Sequence, residues 1–145
     1  MTLLRVLAAV HGYLAVLAAA ALLHPAILLR SGKPPSRRAR WAMLAATALS
    51  VLTFAGGLVI YGSYRRLVKR ALFSTSIRAG LGFETKEHLA VLVVSLALGA
   101  CFAVLVAPKS SNALRKVAAL FFALAAAAAL LLVGLGTWVS SVRTF

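Results

Sequence analysis

The sequence predicts an all-α integral membrane fold, a four-helix transmembrane bundle with both termini on one side. Three observations lead there. The 145-residue chain is 63% hydrophobic and only 12% charged, with a mean hydropathy of +0.99. An average soluble domain is about 45–50% apolar and about 25% charged. Four apolar runs each approach the ~20 residues a helix needs to cross ~30 Å of hydrocarbon. Basic or proline-rich breaks separate the runs. The composition excludes an ordinary soluble enzyme, and it excludes disorder, which requires low hydrophobicity. The length fits a single transmembrane domain over residues 1–145.

The spans fall at about residues 3–29, 41–62, 88–107 and 114–139. They do not alternate as the ~10-residue strands of a membrane barrel would. Arg5 and the alanine-rich stretch after it imitate a signal peptide. The run is longer than the roughly 7–15 residues of a signal core, so it reads as a retained span.

After the first span, Ser31-Gly32-Lys33-Pro34-Pro35-Ser36 stops the helix, because proline lacks an N–H and fixes φ. Arg37, Arg38 and Arg40 lead to Trp41, an interfacial residue at the start of the second span. Beyond Tyr61 and Tyr64 the helix is expected to continue as an amphipathic segment near the headgroups. Its Arg65, Arg66, Lys69 and Arg70 fall on one side, with Leu67, Val68, Ala71 and Leu72 on the other. Gly80 and Gly82 are expected to break it. Thr85 is then the N-cap of the third span, with Glu87 in the first turn. Pro108 ends that span, Ser110-Ser111-Asn112 cap the fourth, and Trp138 marks the last interface. His24-Pro25 should kink the first helix.

Sixteen Lys and Arg face two acids, Glu84 and Glu87. A nucleic-acid binder gathers such charge on one soluble face. Here the bases flank apolar runs, so the expected partner is anionic lipid headgroups, at about 1 kcal/mol per base near the surface. Side A, which holds the termini, carries Arg5, Arg65, Arg66, Lys69, Arg70, Arg78, Lys86 and Arg143. Side B carries Arg30, Lys33, Arg37, Arg38, Arg40, Lys109, Arg115 and Lys116. Eight against eight gives no orientation by the positive-inside rule.

Ala8/Gly12, Ala15/Ala19 and Ser95/Gly99 are small-residue pairs that let helices approach in lipid. Thr47, Ser50, Phe54, Gly57, Tyr61 and Tyr64, with Thr53 beside them, form one face of the second span and should point into the bundle. Packing is the plain reading of that stripe, since Ser and Thr often bond their own backbone carbonyls. Ala125 to Ala129 form either a close-packed face or simply permissive helix. Cys101, the lone cysteine, reads as a small core residue.

Ionisable groups inside a span are costly and are functional candidates. No acid lies at mid-membrane, which weighs against a proton-coupled transporter. His11 and His24 are about 220° and about 20 Å apart along one helix, so they share no site. His24 reads as structural. His11 and His88 both lie toward side A, with Tyr61, Tyr64, Arg65, Arg66 and Glu87. Two histidines opposed across a gap between helices are what a b-type haem requires as axial metal ligands. In that reading Arg65 and Arg66 hold the propionates, or the same polar set receives a quinone headgroup. No CxxCH is present, so covalent haem is excluded. No phosphate loop, Ser-His-Asp set or dinucleotide fingerprint occurs.

The residues His11-Gly12, His24-Pro25 and Glu87-His88-Leu89-Ala90 on four spans resemble the small four-helix bacterial membrane proteins that sit near the membrane cytochromes b. That resemblance implies a bacterial cytoplasmic membrane, haem b or quinone as cofactor, electron transfer as the function, and other membrane subunits or a homo-oligomer as partners. Two-haem members carry paired histidines about fourteen apart on two helices. This chain has thirteen on one helix and a single histidine on another. The alternatives are a cofactor-free accessory subunit of a larger membrane complex and, below it, a small channel or transporter.

Overall fold

The computed structural model describes residues 2–108 and 110–143. Lys109, assigned above to side B, lies outside them. Helix α1 spans Thr2–Leu29 and α2 spans Arg37–Tyr64. A π-helical turn, Arg65–Lys69, leads without a break into α3, Arg70–Thr75. Helices α4, Ile77–Val106, and α5, Asn112–Val142, follow. The fold is the expected all-α four-helix bundle. Helices α1, α2 with its extension, α4 and α5 are each long and apolar enough to cross a bilayer. They pack in the ring order α1, α2, α4, α5. Leu4 and Ala8 pack in the same cluster as Val139 and Val142, so both termini lie at one end, side A.

Large apolar side chains cover the outside. Leu17, Leu52, Val59, Phe102 and Leu131 are all more than half exposed. Water-soluble monomers rarely expose apolar patches beyond a few hundred Å². The four apolar helices and this belt suit an integral membrane protein.

The side B half is an apolar core. Leu22, Leu29, Met43, Ala97, Ala118 and Phe122 are buried together with Cys101, as its apolar setting suggested. Ala125, Ala126, Ala128 and Ala129 are buried too, so the alanine run is a close-packed face. Arg115 closes this end. It is 2% exposed. Its Nε donates to the Gly32 carbonyl at 2.6 Å, Nη1 to the Pro108 carbonyl at 2.9 Å and Nη2 to Asn112 Oδ1 at 2.9 Å. One guanidinium thus ties the α1–α2 loop to the α4–α5 loop. Sequence reasoning placed Arg115 among the lipid-facing bases and Asn112 among the helix caps. Both instead serve this clip, and Ser111 is the N-cap, with no side-chain bond.

Two further expectations are corrected. Gly80 and Gly82 do not break the chain but lie inside α4. A Cβ on Gly80 would stand 2.5 Å from the Phe73 ring, and one on Gly82 would stand 2.5 Å from the Trp138 ring. Each glycine costs a helix roughly 1 kcal/mol against alanine, and here each makes room for an aromatic ring. The N-cap of α4 is therefore Ser76, whose Oγ accepts from the Ala79 N–H at 3.3 Å. Thr85 lies mid-helix, and its hydroxyl bonds the Leu81 carbonyl at 3.0 Å. Helix α1 runs on through the buried Pro25, and His24 is exposed.

Candidate functional site: a cavity in the side A half

The polar stripe of α2 faces inward, as its spacing predicted. Thr47, Ser50, Thr53 and Tyr64 are buried. Ser50 Oγ donates to the Ala46 carbonyl at 2.9 Å, and Thr53 Oγ1 donates to the Leu49 carbonyl at 2.8 Å. Opposite this stripe, α1 presents Ala8, Gly12 and Ala15, side chains too small to fill the gap. A cavity of about 410 Å³ results, within the roughly 300–1,000 Å³ typical of small-molecule sites.

The walls are mostly apolar, with Phe54, Leu58, Ile60, Val91, Val94 and Leu132 among them. The polar groups gather toward side A: His11 from α1, Tyr61 and Tyr64 from α2, and Lys86 and Glu87 from α4. The His11 ring lies against the α2 backbone. A Cβ on Gly57 would stand 3.0 Å from its Cε1, so glycine there lets the ring pack this close. The ring also meets the backbone of Thr53. Its Nδ1 is buried without a hydrogen-bond partner, and so is Glu87 Oε1. Buried polar atoms nearly always find partners, so each orphan calls for an explanation.

Lys86 reaches into the cavity with its ammonium 5.5 Å from the Phe83 ring centre and 5.8 Å from that of Tyr64. Those two rings stack at 5.0 Å and 9°. Lys69, carried inward by the π turn, bridges both acids of the chain, Glu84 at 3.0 Å and Glu87 at 3.7 Å. The Tyr61 hydroxyl meets the Glu87 carboxylate. Two ammonium groups thus face two carboxylates at the polar end, with no net charge among the four.

Of the residues singled out in the sequence, His11, Tyr61 and Tyr64 come together around the cavity. His88 does not join them. It is exposed, and its Nδ1 meets the Glu84 carbonyl of its own helix at 2.9 Å. Arg65 and Arg66 are exposed as well, and Arg66 Nε donates back to the Gly62 carbonyl at 3.2 Å. A haem held by two histidines of one bundle needs both imidazoles across a common gap. The groups lining this cavity do not fit that arrangement. Among the described residues no three His, Cys, Asp or Glu side chains cluster as a metal site.

Lys86 and Phe83 are the members that sequence reasoning missed. The signal was present. Ala79, Phe83, Lys86, Ala90, Val93, Ala97, Ala100 and Val104 step by four and three along one helical face, and Lys86 is the only charge in that stripe. Starting the helix after Gly82 cut the stripe short and hid it. Compared with family models, with curated proteins and with solved structures, the chain gives no match.

Proposed function

We propose that this protein binds a membrane quinone, headgroup in the side A half of the bundle, as part of electron transfer in a bacterial cytoplasmic membrane. The observation that carries the reading is the cavity itself: apolar walls, with the unpartnered His11 Nδ1 and the Lys86 ammonium at one end. A quinone offers two carbonyl acceptors on a flat apolar ring. His11, as the Nδ1–H tautomer, and Lys86 supply donors to such acceptors. The balanced charge of Lys69, Lys86, Glu84 and Glu87 favours a neutral headgroup over a fatty acid or phosphate, which would leave an uncompensated charge in a low-dielectric site. Tyr64 and Phe83 offer a stacked aromatic platform for the ring.

The partners in this reading are other membrane subunits or a second copy, which supply and accept the electrons. Anionic headgroups meet the exposed Arg65, Arg66, Arg70 and Arg78.

The test uses Trp138, whose ring lies against Gly82, one turn from Lys86. In a Trp41→Phe background it is the sole tryptophan, since the chain has two. A decyl-chain benzoquinone should quench its emission saturably. His11→Leu and Lys86→Met should each raise the half-saturating concentration at least tenfold. Unsaturable quenching, identical in all three proteins, would reject the proposal and leave the accessory-subunit reading. A reduced-minus-oxidised spectrum with a b-type band would restore haem.

A further inference from the structure

We infer that the cavity opens sideways, through a portal between α2 and α4, and that the quinone's isoprenoid tail leaves the bundle there. The inference rests on the quinone reading for its ligand but on packing for its route. Along the bundle axis the cavity is flanked by packed side chains. Toward side A, the stacked Tyr64 and Phe83 rings sit in a cluster with Val68, Leu72 and Val139. Toward side B lies the apolar core of Leu22, Ala97 and Phe122.

Of the four neighbouring pairs in the ring, α2 and α4 approach each other least. Two of its residues mark the mouth. Leu58 and Val91 line the cavity, yet they are 57% and 54% exposed on the outer surface. Gly12 of α1 and Ser140 of α5 also line the cavity and are exposed, but α1 and α5 approach each other more closely than α2 and α4 do. The register agrees. On α2 the lining residues Tyr61, Leu58 and Phe54 descend from side A by three and four. On α4, Glu87, Val91 and Val94 descend by four and three. In an antiparallel pair these fall opposite one another in that order. Tyr61 and Glu87 meet at the top and close the seam with polar groups. Below them the paired lining residues Leu58, Phe54, Val91 and Val94 are apolar, at the depth of the acyl chains. A ligand with a polar head and a long apolar tail fits such an opening. A water-soluble ligand would have to cross lipid to reach it.

The experiment reads access without any ligand. A nitroxide is placed at Val94→Cys, and separately at Ala90→Cys, in Cys101→Ala protein in liposomes. Collisions with oxygen, which concentrates in the acyl phase, are compared with collisions with a water-soluble nickel chelate. Labels at lipid-facing Phe102→Cys and loop Lys33→Cys serve as references. Both cavity labels should behave like the Phe102 label, with oxygen dominant. Leu58→Trp, or Leu58→Phe should the larger ring prevent folding, should lower oxygen access at the cavity labels several-fold and leave the Phe102 label unchanged. Dominant nickel access, equally low access to both reagents, or no effect of the Leu58 variants would each overturn the portal. Failure of the quinone titration alone would sink the functional reading and leave the portal standing.

Discussion

Arg115 and Lys86 occupy equivalent places at opposite ends of the molecule. Each is the only charge in an inward-facing stripe, Arg115 above Ala118, Phe122, Ala125 and Ala129 on α5, and Lys86 between Phe83 and Ala90 on α4. Their surroundings differ. Arg115 donates to two loop carbonyls and a side-chain amide at 2.6 to 2.9 Å, and Ala118, Phe122 and Ala125 beneath it are buried in the core. Lys86 has aromatic faces 5.5 and 5.8 Å away and the cavity beside it, near an imidazole nitrogen and a carboxylate oxygen that lack hydrogen bonds. Buried charge is costly in either place. At side B the partners that offset it are built in, which makes a clip. At side A part of the hydrogen-bonding capacity is left open, which makes a site. The third buried orphan, Thr47 Oγ1, sits one turn below the Ser50 that lines the cavity.

If that contrast is right, the largest loss of stability comes from the clip. Arg115→Ala leaves the Gly32 carbonyl without this donor and the Pro108 carbonyl with only the Ser111 N–H at 3.0 Å, and hydrogen bonds to charged groups contribute about 1.5–3 kcal/mol each. The expected cost is about 3 kcal/mol, read as a lowered midpoint of thermal unfolding in detergent. Arg115→Lys should recover only part of it, because an ammonium cannot span three acceptors as the planar fork does. A change below about 0.5 kcal/mol would remove the distinction between the two ends.

The next comparison sets one enlargement against another. Ala125 is fully buried in the side B core, whereas Ala15 lines the cavity. Ala125→Leu should destabilise by about 1–3 kcal/mol through overpacking. Ala15→Leu puts the same atoms into empty space, so it should be neutral or slightly stabilising while abolishing saturable quenching of Trp138. Equal destabilisation by both would mean that the cavity is not a permanent feature of the fold.

Much of this was legible in the sequence because hydrophobicity, not detail, decides it. Runs of spanning length fixed the four helices, and the three-and-four spacing of Ser50, Phe54, Gly57, Tyr61 and Tyr64 identified the inward face of α2. What failed was the reading of glycine. Gly80 and Gly82 break a helix by local propensity, but tertiary packing of Phe73 and Trp138 overrides it. That single error moved the start of α4 to Lys86, at the helix end instead of within its inward stripe. It also left His88 appearing to stand at a helix entrance, where a full-length α4 turns it outward. Arg115 was missed for another reason. Its acceptors include the carbonyls of Gly32 and Pro108, and which loop meets which is invisible until the helices are arranged.

Gly32 offers a smaller effect on the side B end. Its φ of +72° lies in the left-handed region, and a Cβ there would stand 3.0 Å from the Asn112 carbonyl oxygen. Gly32→Ala should therefore cost about 1–2 kcal/mol, less than Arg115→Ala because the clip can shift with the loop. No change in unfolding midpoint would mean that the loop is not held where Arg115 meets it.

The smallest expected change in stability belongs to His11, and it separates a site from a scaffold most sharply. Removing a satisfied buried polar group destabilises, because its partner loses a hydrogen bond. Removing an unsatisfied one relieves a desolvation penalty of about 1–3 kcal/mol. Leucine fills nearly the volume of the imidazole against Gly57 and gives up the contact with the Thr53 backbone along with the orphaned Nδ1. These two terms oppose each other, so His11→Leu should leave the unfolding midpoint within about 0.5 kcal/mol of the parent or raise it. The same variant should lose at least tenfold in quinone affinity. Such a split, little change in folding and a large change in binding, is what a donor aimed at a ligand produces. If His11→Leu instead lowers stability by 2 kcal/mol or more, the imidazole is part of the scaffold, and the polar end of the cavity loses its main donor.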